Sequence, residues 1–132
     1  MVLVDSNVLI DLFTNDPSWA DWSEQQLLEC SRSGALAINP VIYAEVSTAF
    51  RTEKAFTQAI DSLGLQRLEL PYAAGFLAAK AFLRYWKQSG VKRSPLPDFY
   101  IGAHAQVEGL KLLTRDAGRY RTYFSRVTLI TP

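Results

Sequence analysis

The chain has 132 residues and a mass of 14.8 kDa, with 48% apolar and 12% aromatic residues. That length suits one domain and the apolar share is enough to bury a core, so a single domain over residues 1–132 is expected and a disordered chain is excluded. The formal net charge is only +1, but residues 1–79 hold 4 basic and 10 acidic side chains, while residues 80–132 hold 10 basic and 3 acidic ones. The second part suits a polyanion such as nucleic acid, although scattered solvated charges give the same count. Met1-Val2-Leu3-Val4-Asp5 has neither a basic leader nor a long apolar stretch, and no segment nears the roughly 20 apolar residues of a membrane span. A soluble, cytoplasmic protein with no membrane partner is expected. The single cysteine, Cys30, has no second sulfur for an internal disulfide or a zinc site and reads as a small apolar filler in a reducing compartment.

Val2-Leu3-Val4 predicts a strand, and Asp5-Ser6-Asn7 a cap for a helix over Val8 to Phe13. Asn15-Asp16-Pro17-Ser18 is a turn, after which Trp19 to Arg32, closed by Ser33-Gly34, has the length and ending of a second helix. Leu36-Ala37-Ile38 gives a second strand. Pro40 suits a helix start, and Ile42, Val46, Ala49 and Phe50 repeat at i, i+4, i+7 and i+8, a face that must be buried. Thr52 caps a helix that Gly64 stops, and Arg67 to Leu70 alternates into a third strand. Pro71 opens a long helix from Tyr72 to Gln88, followed by the basic loop Val91-Lys92-Arg93-Ser94 and by Pro95-Leu96-Pro97. A helix from Asp98 to Glu108 ends at Gly109, and Lys111 to Thr114 and Val127 to Ile130 are the closing strands. Short apolar strands alternating with helices predict an α/β fold: a central parallel β-sheet of four to five short strands, flanked by helices on both faces because each parallel connection needs a crossover.

Ligands of such sheets bind at the strand carboxyl ends. Asp5 directly follows the first strand and Asp116 stands two residues beyond the fourth; taken alone, each reads equally as a helix cap. Glu45 fills the i+3 slot of the apolar stripe that starts at Ile42, so its carboxylate should be half buried. Asp98, with Ile101, Gly102 and Ala105 at i+3, i+4 and i+7, lies on a packed face near a helix start, where the macrodipole also favours an acid. Four acids at two strand ends and on two inward faces repel one another unless a cation neutralises them. An oxygen-only set suits Mg²⁺, with Mn²⁺ as substitute, and disfavours zinc. Such a site can activate water against a phosphodiester.

Val4-Asp5-Ser6-Asn7-Val8-Leu9-Ile10-Asp11, Tyr43-Ala44-Glu45-Val46, Leu96-Pro97-Asp98-Phe99-Tyr100-Ile101-Gly102-Ala103-His104-Ala105 and Leu113-Thr114-Arg115-Asp116 resemble, in this order and over nearly the whole chain, the PIN-domain family and its VapC toxin branch. Each motif is short; the ordered set is specific. The resemblance implies a PIN-like fold, a magnesium- or manganese-dependent endoribonuclease acting on structured RNA such as transfer or ribosomal RNA, a VapB-type antitoxin and a toxin homodimer. It implies Asp5, Glu45, Asp98 and Asp116 as the catalytic acids, Asp5 and Asp98 as direct metal ligands, and Ser6, Asn7 and Thr114 as supports that orient them. Some relatives carry a further aspartate shortly after the fourth acid; here Ala117, Gly118 and Arg119 occupy that stretch, which argues against a fifth ligand and a firmly held second metal.

Lys92, Arg93, Arg115 and Arg119 bracket Asp98 and Asp116 and are candidates for RNA phosphates, or for plain ion pairs with those acids. His104 has no serine or cysteine at a telling spacing and reads as a structural histidine. Asp11, six residues after Asp5, is about a third of a turn out of phase with it and is left outside the site. Trp19, Trp22, Leu27 and Leu28 suit core packing or a partner helix. An aspartyl-phosphate phosphatase also begins with strand and aspartate, but position 7 is Asn7 where it needs an acid. A catalytically inactive PIN-like RNA- or protein-binding module is the non-enzymatic alternative.

Overall fold

Three consecutive apolar residues, Val2–Val4, form the first strand, β1, and all three are buried. Successive strand residues face opposite sides of a sheet, so helices must cover both of its faces. In this computed structural model residues 1–89 and 96–132 are described. After β1 come α1 (Ser6–Phe13), α2 (Ala20–Ser33), β2 (Leu36–Ile38), α3 (Pro40–Ser47), α4 (Glu53–Ser62), β3 (Gln66–Arg67), α5 (Tyr72–Ser89), α6 (Leu96–Glu108), β4 (Lys111–Leu113), α7 (Gly118–Tyr123) and β5 (Leu129–Ile130). The sheet is parallel, in the order β3-β2-β1-β4-β5. The chain winds from β1 toward β2 and β3, then returns to place β4 and β5 on the other side. β1 is therefore where the winding reverses, and the crevice beyond the carboxyl ends of β1 and β4 is the natural ligand site.

Local chemistry sets the helix starts. The Asn39 side chain accepts from the Ile42 amide at 2.9 Å and Pro40 fills the first turn of α3, where a missing N–H costs nothing. Thr52 caps α4 through the Ala55 amide, and Gly64 and Gly109, with φ of +63° and +65°, end α4 and α6 in a conformation that other residues adopt at a cost. Where observed and expected elements differ, the causes are local. The third strand is shorter and earlier than Arg67 to Leu70, because β2 offers only Ala37 and Ile38 to pair with Gln66 and Arg67. Helix α6 starts two residues before Asp98, since Pro97 is tolerated in a first turn. Helix α7 was unexpected: its six residues are rich in arginine, and its buried signal is the i, i+4 pair Tyr120 and Phe124.

Phe124 also explains Gly102 in the middle of α6. A Cβ built there would lie 2.4 Å from the Phe124 ring, which is itself buried with no room to retreat. Gly102→Ala should therefore destabilise the fold by about 2 kcal/mol, overpacking outweighing the gain of about 1 kcal/mol in helix propensity. Urea unfolding checks this; an unchanged or raised midpoint would refute the clash.

Candidate active site

Asp5 is held from both sides of the crevice. Its backbone N–H donates to the Leu113 carbonyl of β4 at 2.9 Å. Its Oδ1 accepts from the Ser6 amide at 2.7 Å, and its Oδ2 accepts from the Thr114 hydroxyl at 2.8 Å and the Tyr120 hydroxyl at 2.9 Å. Asn7 braces this arrangement: its Nδ2 donates to the Thr114 hydroxyl at 3.2 Å, and its Oδ1 accepts from the Arg115 amide at 3.3 Å. Ser6 turns the other way and donates to Glu45 Oε1 at 2.9 Å, linking the start of α1 to α3.

Asp5 is 2% exposed, and burial lifts its carboxyl from 3.8 to about 6 against the pull of the Thr114 and Tyr120 hydrogen bonds, with Asp98 adding repulsion. Glu45, half buried, is raised by desolvation and by Asp98, and lowered by its bond from Ser6. Asp98, in the first turn of α6, is raised by burial and by Asp116, and lowered by Arg119, whose Nη1 donates to its Oδ2. Asp98 is thus coupled to each of the other three acids. Asp116 is exposed at the rim, its amide donating to the Thr114 hydroxyl at 3.2 Å.

Sequence reasoning missed Tyr120, whose buried hydroxyl lies against Asp5 and is pushed well above its ordinary value by burial and then by Asp5, Asp98 and Glu45. A tyrosine at core spacing is indistinguishable in sequence from plain packing; its signal is the buried hydroxyl, which needs a partner. Arg115 and Arg119 are both in ion pairs. Arg115 grips buried Asp11 bidentately at 2.5 and 3.1 Å and stacks over Trp19. Lys92 and Arg93 lie outside the described residues. His104 is buried, its Nδ1 accepting from Asn39 Nδ2 at 3.0 Å, so the cap of α3 is tied to α6.

A model of the PIN domain matches residues 2–125. The chain belongs to the PIN-domain family. No curated protein matches it in sequence. This PIN domain has the fold of VapBC2 from Rickettsia felis bound to a promoter DNA fragment, with a TM-score of 0.74, 15% identity, and 100% of this chain and 99% of that one covered. VapBC-1 from nontypeable Haemophilus influenzae gives 0.72 at 18% identity, over 99% and 98% of the two chains. A toxin-antitoxin complex from Klebsiella pneumoniae gives 0.65 at 22% identity, over 100% and 98%.

PIN domains are typically nucleases that use divalent metals. The residues here fit a hard cation by chemistry: the donors are carboxylates, and burial and mutual repulsion raise Asp5, Glu45 and Asp98, a strain that a cation relieves. Among the described residues no three such side chains stand assembled as a ready coordination group. Asp98 is paired instead with the guanidinium of Arg119.

Proposed function

We propose that this chain is a VapC-type toxin: a single PIN domain that cleaves structured RNA, transfer or ribosomal, as a Mg²⁺-dependent endoribonuclease, Mn²⁺ substituting. The observation that carries the reading is buried Asp5, fixed by Thr114 and Tyr120 at the β1/β4 crevice and coupled to Asp98. Asp5 and Asp98 would hold the cation, with Glu45 and Asp116 completing the acidic set. Bound there, a divalent ion supplies Lewis-acid stabilisation of charge developing on the phosphate and activates water. The chain does the rest. Thr114, Tyr120 and Ser6 fix the orientation of Asp5, Asn7 holds Thr114, and Ser6 holds Glu45, so these two acids are oriented before substrate arrives. The bases of the RNA are not read by such a site; backbone and shape are.

The purified protein is incubated with total cellular RNA while Mg²⁺ or Mn²⁺ is titrated in, and the new 5′ ends are sequenced, with Asp98→Asn alongside. Discrete metal-dependent cuts that the variant lacks are expected. Folded wild type that makes no cuts would overturn the nuclease in favour of an inactive binding module.

A VapB-type antitoxin, a homodimer and a cytoplasmic location belong to the same proposal. The Klebsiella pneumoniae structure that the chain resembles is a toxin-antitoxin complex, and the Rickettsia felis and Haemophilus influenzae ones are VapBC structures. Among the described residues no helix is long and apolar enough to cross a membrane. Helix α5 supports an association between chains. Tyr72, Phe76, Leu83 and Trp86 are all exposed, Tyr72 completely, and fall at i, i+4, i+11 and i+14, one stripe at coiled-coil spacing. The homodimer is expected to bury that stripe. Light scattering should give wild type twice the 14.8 kDa chain mass, and Phe76→Glu with Leu83→Glu a single chain of unchanged helicity. A wild-type monomer at micromolar concentration would count against the dimer.

A further inference from the structure

Helix α7 delivers two neighbouring side chains to the acids: Tyr120 donates to Asp5, and Arg119 donates to Asp98. The two contacts differ in kind. Tyr120 is 2% exposed and locked, whereas the Arg119 and Asp98 side chains keep 36% and 33% of their surface in solvent. Arg115, the other arginine described beside the site, is committed to Asp11, an acid that belongs to neither Asp5 nor Asp98. Arg115 feels the site acid Asp116 only through its charge, whereas Arg119 is hydrogen-bonded to the site acid Asp98. Its guanidinium also lies 5.5 Å from the Tyr85 ring centroid, a second contact beside Asp98.

Charge gives this contact a second role. Four carboxylates, together with a phosphodiester, carry more negative charge than one divalent ion can balance. A guanidinium presents a planar fork of donors that matches phosphate as well as carboxylate, and it keeps its proton throughout. While it covers Asp98 it competes with a cation for that oxygen.

We propose, building on the nuclease reading above, that Arg119 exchanges partners. It closes on Asp98 in the metal-free protein, releases it when a cation binds, and then takes a non-bridging oxygen of the scissile phosphate. Arg119 is thus both a latch on Asp98 and a catalytic residue, supplying positive charge where a second metal ion would otherwise be needed. It forms no covalent bond; its contribution is electrostatic and grows as charge develops on the phosphate oxygens.

The two roles move in opposite directions on substitution, which a merely structural arginine would not do. Mn²⁺ is titrated calorimetrically into the full-length, metal-free protein, and turnover on RNA is measured at saturating Mn²⁺. Arg119→Gln is expected to bind Mn²⁺ several-fold more tightly than wild type while its turnover falls by ~10²-fold, the scale of losing one transition-state donor. Arg119→Lys, which keeps the charge without the fork, should recover part of the turnover. Arg119→Glu should raise the binding stoichiometry from one Mn²⁺ to two. Unchanged or weaker Mn²⁺ affinity in Arg119→Gln, with folding verified by circular dichroism, overturns the latch. Wild-type turnover in that variant overturns the catalytic role. Because the Mn²⁺ titration needs no cleavage, failure of the nuclease reading shows separately, as tight Mn²⁺ binding with no cut RNA.

Discussion

Asp5→Asn is expected to abolish cleavage while making the metal-free protein more stable at neutral pH. The loss follows from position. Removing an outer supporting group of a metal site costs ~10–100-fold in metal affinity or activity, and Asp5, proposed as a direct ligand, should cost more. The gain follows from burial. Asp5 is 2% exposed, and its carboxyl is lifted from 3.8 to about 6 chiefly by desolvation, so holding it ionised in the folded state costs on the order of 3 kcal/mol. Asparagine is close to a neutral copy of that acid. Its amide donates where the carboxylate accepted; the Tyr120 hydroxyl rotates to accept, while the Thr114 hydroxyl, already accepting from Asn7 and Asp116, loses its bond to this position. Discounting for that rearrangement, a gain of about 2 kcal/mol is expected in urea unfolding with chelator present. A variant both less stable and inactive would mean that Asp5 is chiefly a structural cap, and a fully active one would remove it from the site.

That trade of stability for chemistry also explains what could be read in the sequence. Of the four candidate acids, Glu45 stood out because it interrupts an apolar stripe, whereas Asp5, Asp98 and Asp116 sit where caps and helix starts also favour an acid and drew notice only as a set. The parallel sheet was legible because its three-residue apolar runs alternate with helical periods, and PIN-fold relatives superpose along the whole chain. Strand ends were less so, since the pairing of β3 and β5 depends on how far their neighbours extend. Tyr120 and Arg119 were least legible. A six-residue helix has too few turns to show a period, and the meaning of both side chains lies in contacts with residues 115 and 21 positions away. The sequence offered Arg119 as a candidate either for RNA phosphate or for an ion pair with a neighbouring acid, and the structure shows the ion pair, with Asp98.

The pH dependence separates the buried acids from everything else in the chain. The folded value of Asp5, about 6, lies above the 3.8 of an unfolded carboxyl, so the folded state holds the proton more tightly. Stability tied to it is full below 3.8 and is lost as the pH rises through about 6. Glu45 and Asp98 are shifted in the same direction and reinforce the loss. His104, lowered by burial, works oppositely, gaining stability as the pH rises. It is shared by wild type and Asp5→Asn, so their difference cancels it: the advantage of the variant should be small near about pH 4.5 and grow to its full value by about pH 7.5. Adding Mg²⁺ should then invert the comparison at the upper pH. An ion at a hundred times its dissociation constant contributes ~2.7 kcal/mol, roughly 10 °C of melting temperature for a domain this size. Wild type receives it and Asp5→Asn receives little. Melting curves at the two pH values, with Mg²⁺ and with chelator, read all four states. Equal Mg²⁺ shifts in the two proteins would place the cation away from Asp5, and a pH-independent difference between them would mean that the Asp5 carboxyl is not held above its ordinary value at all.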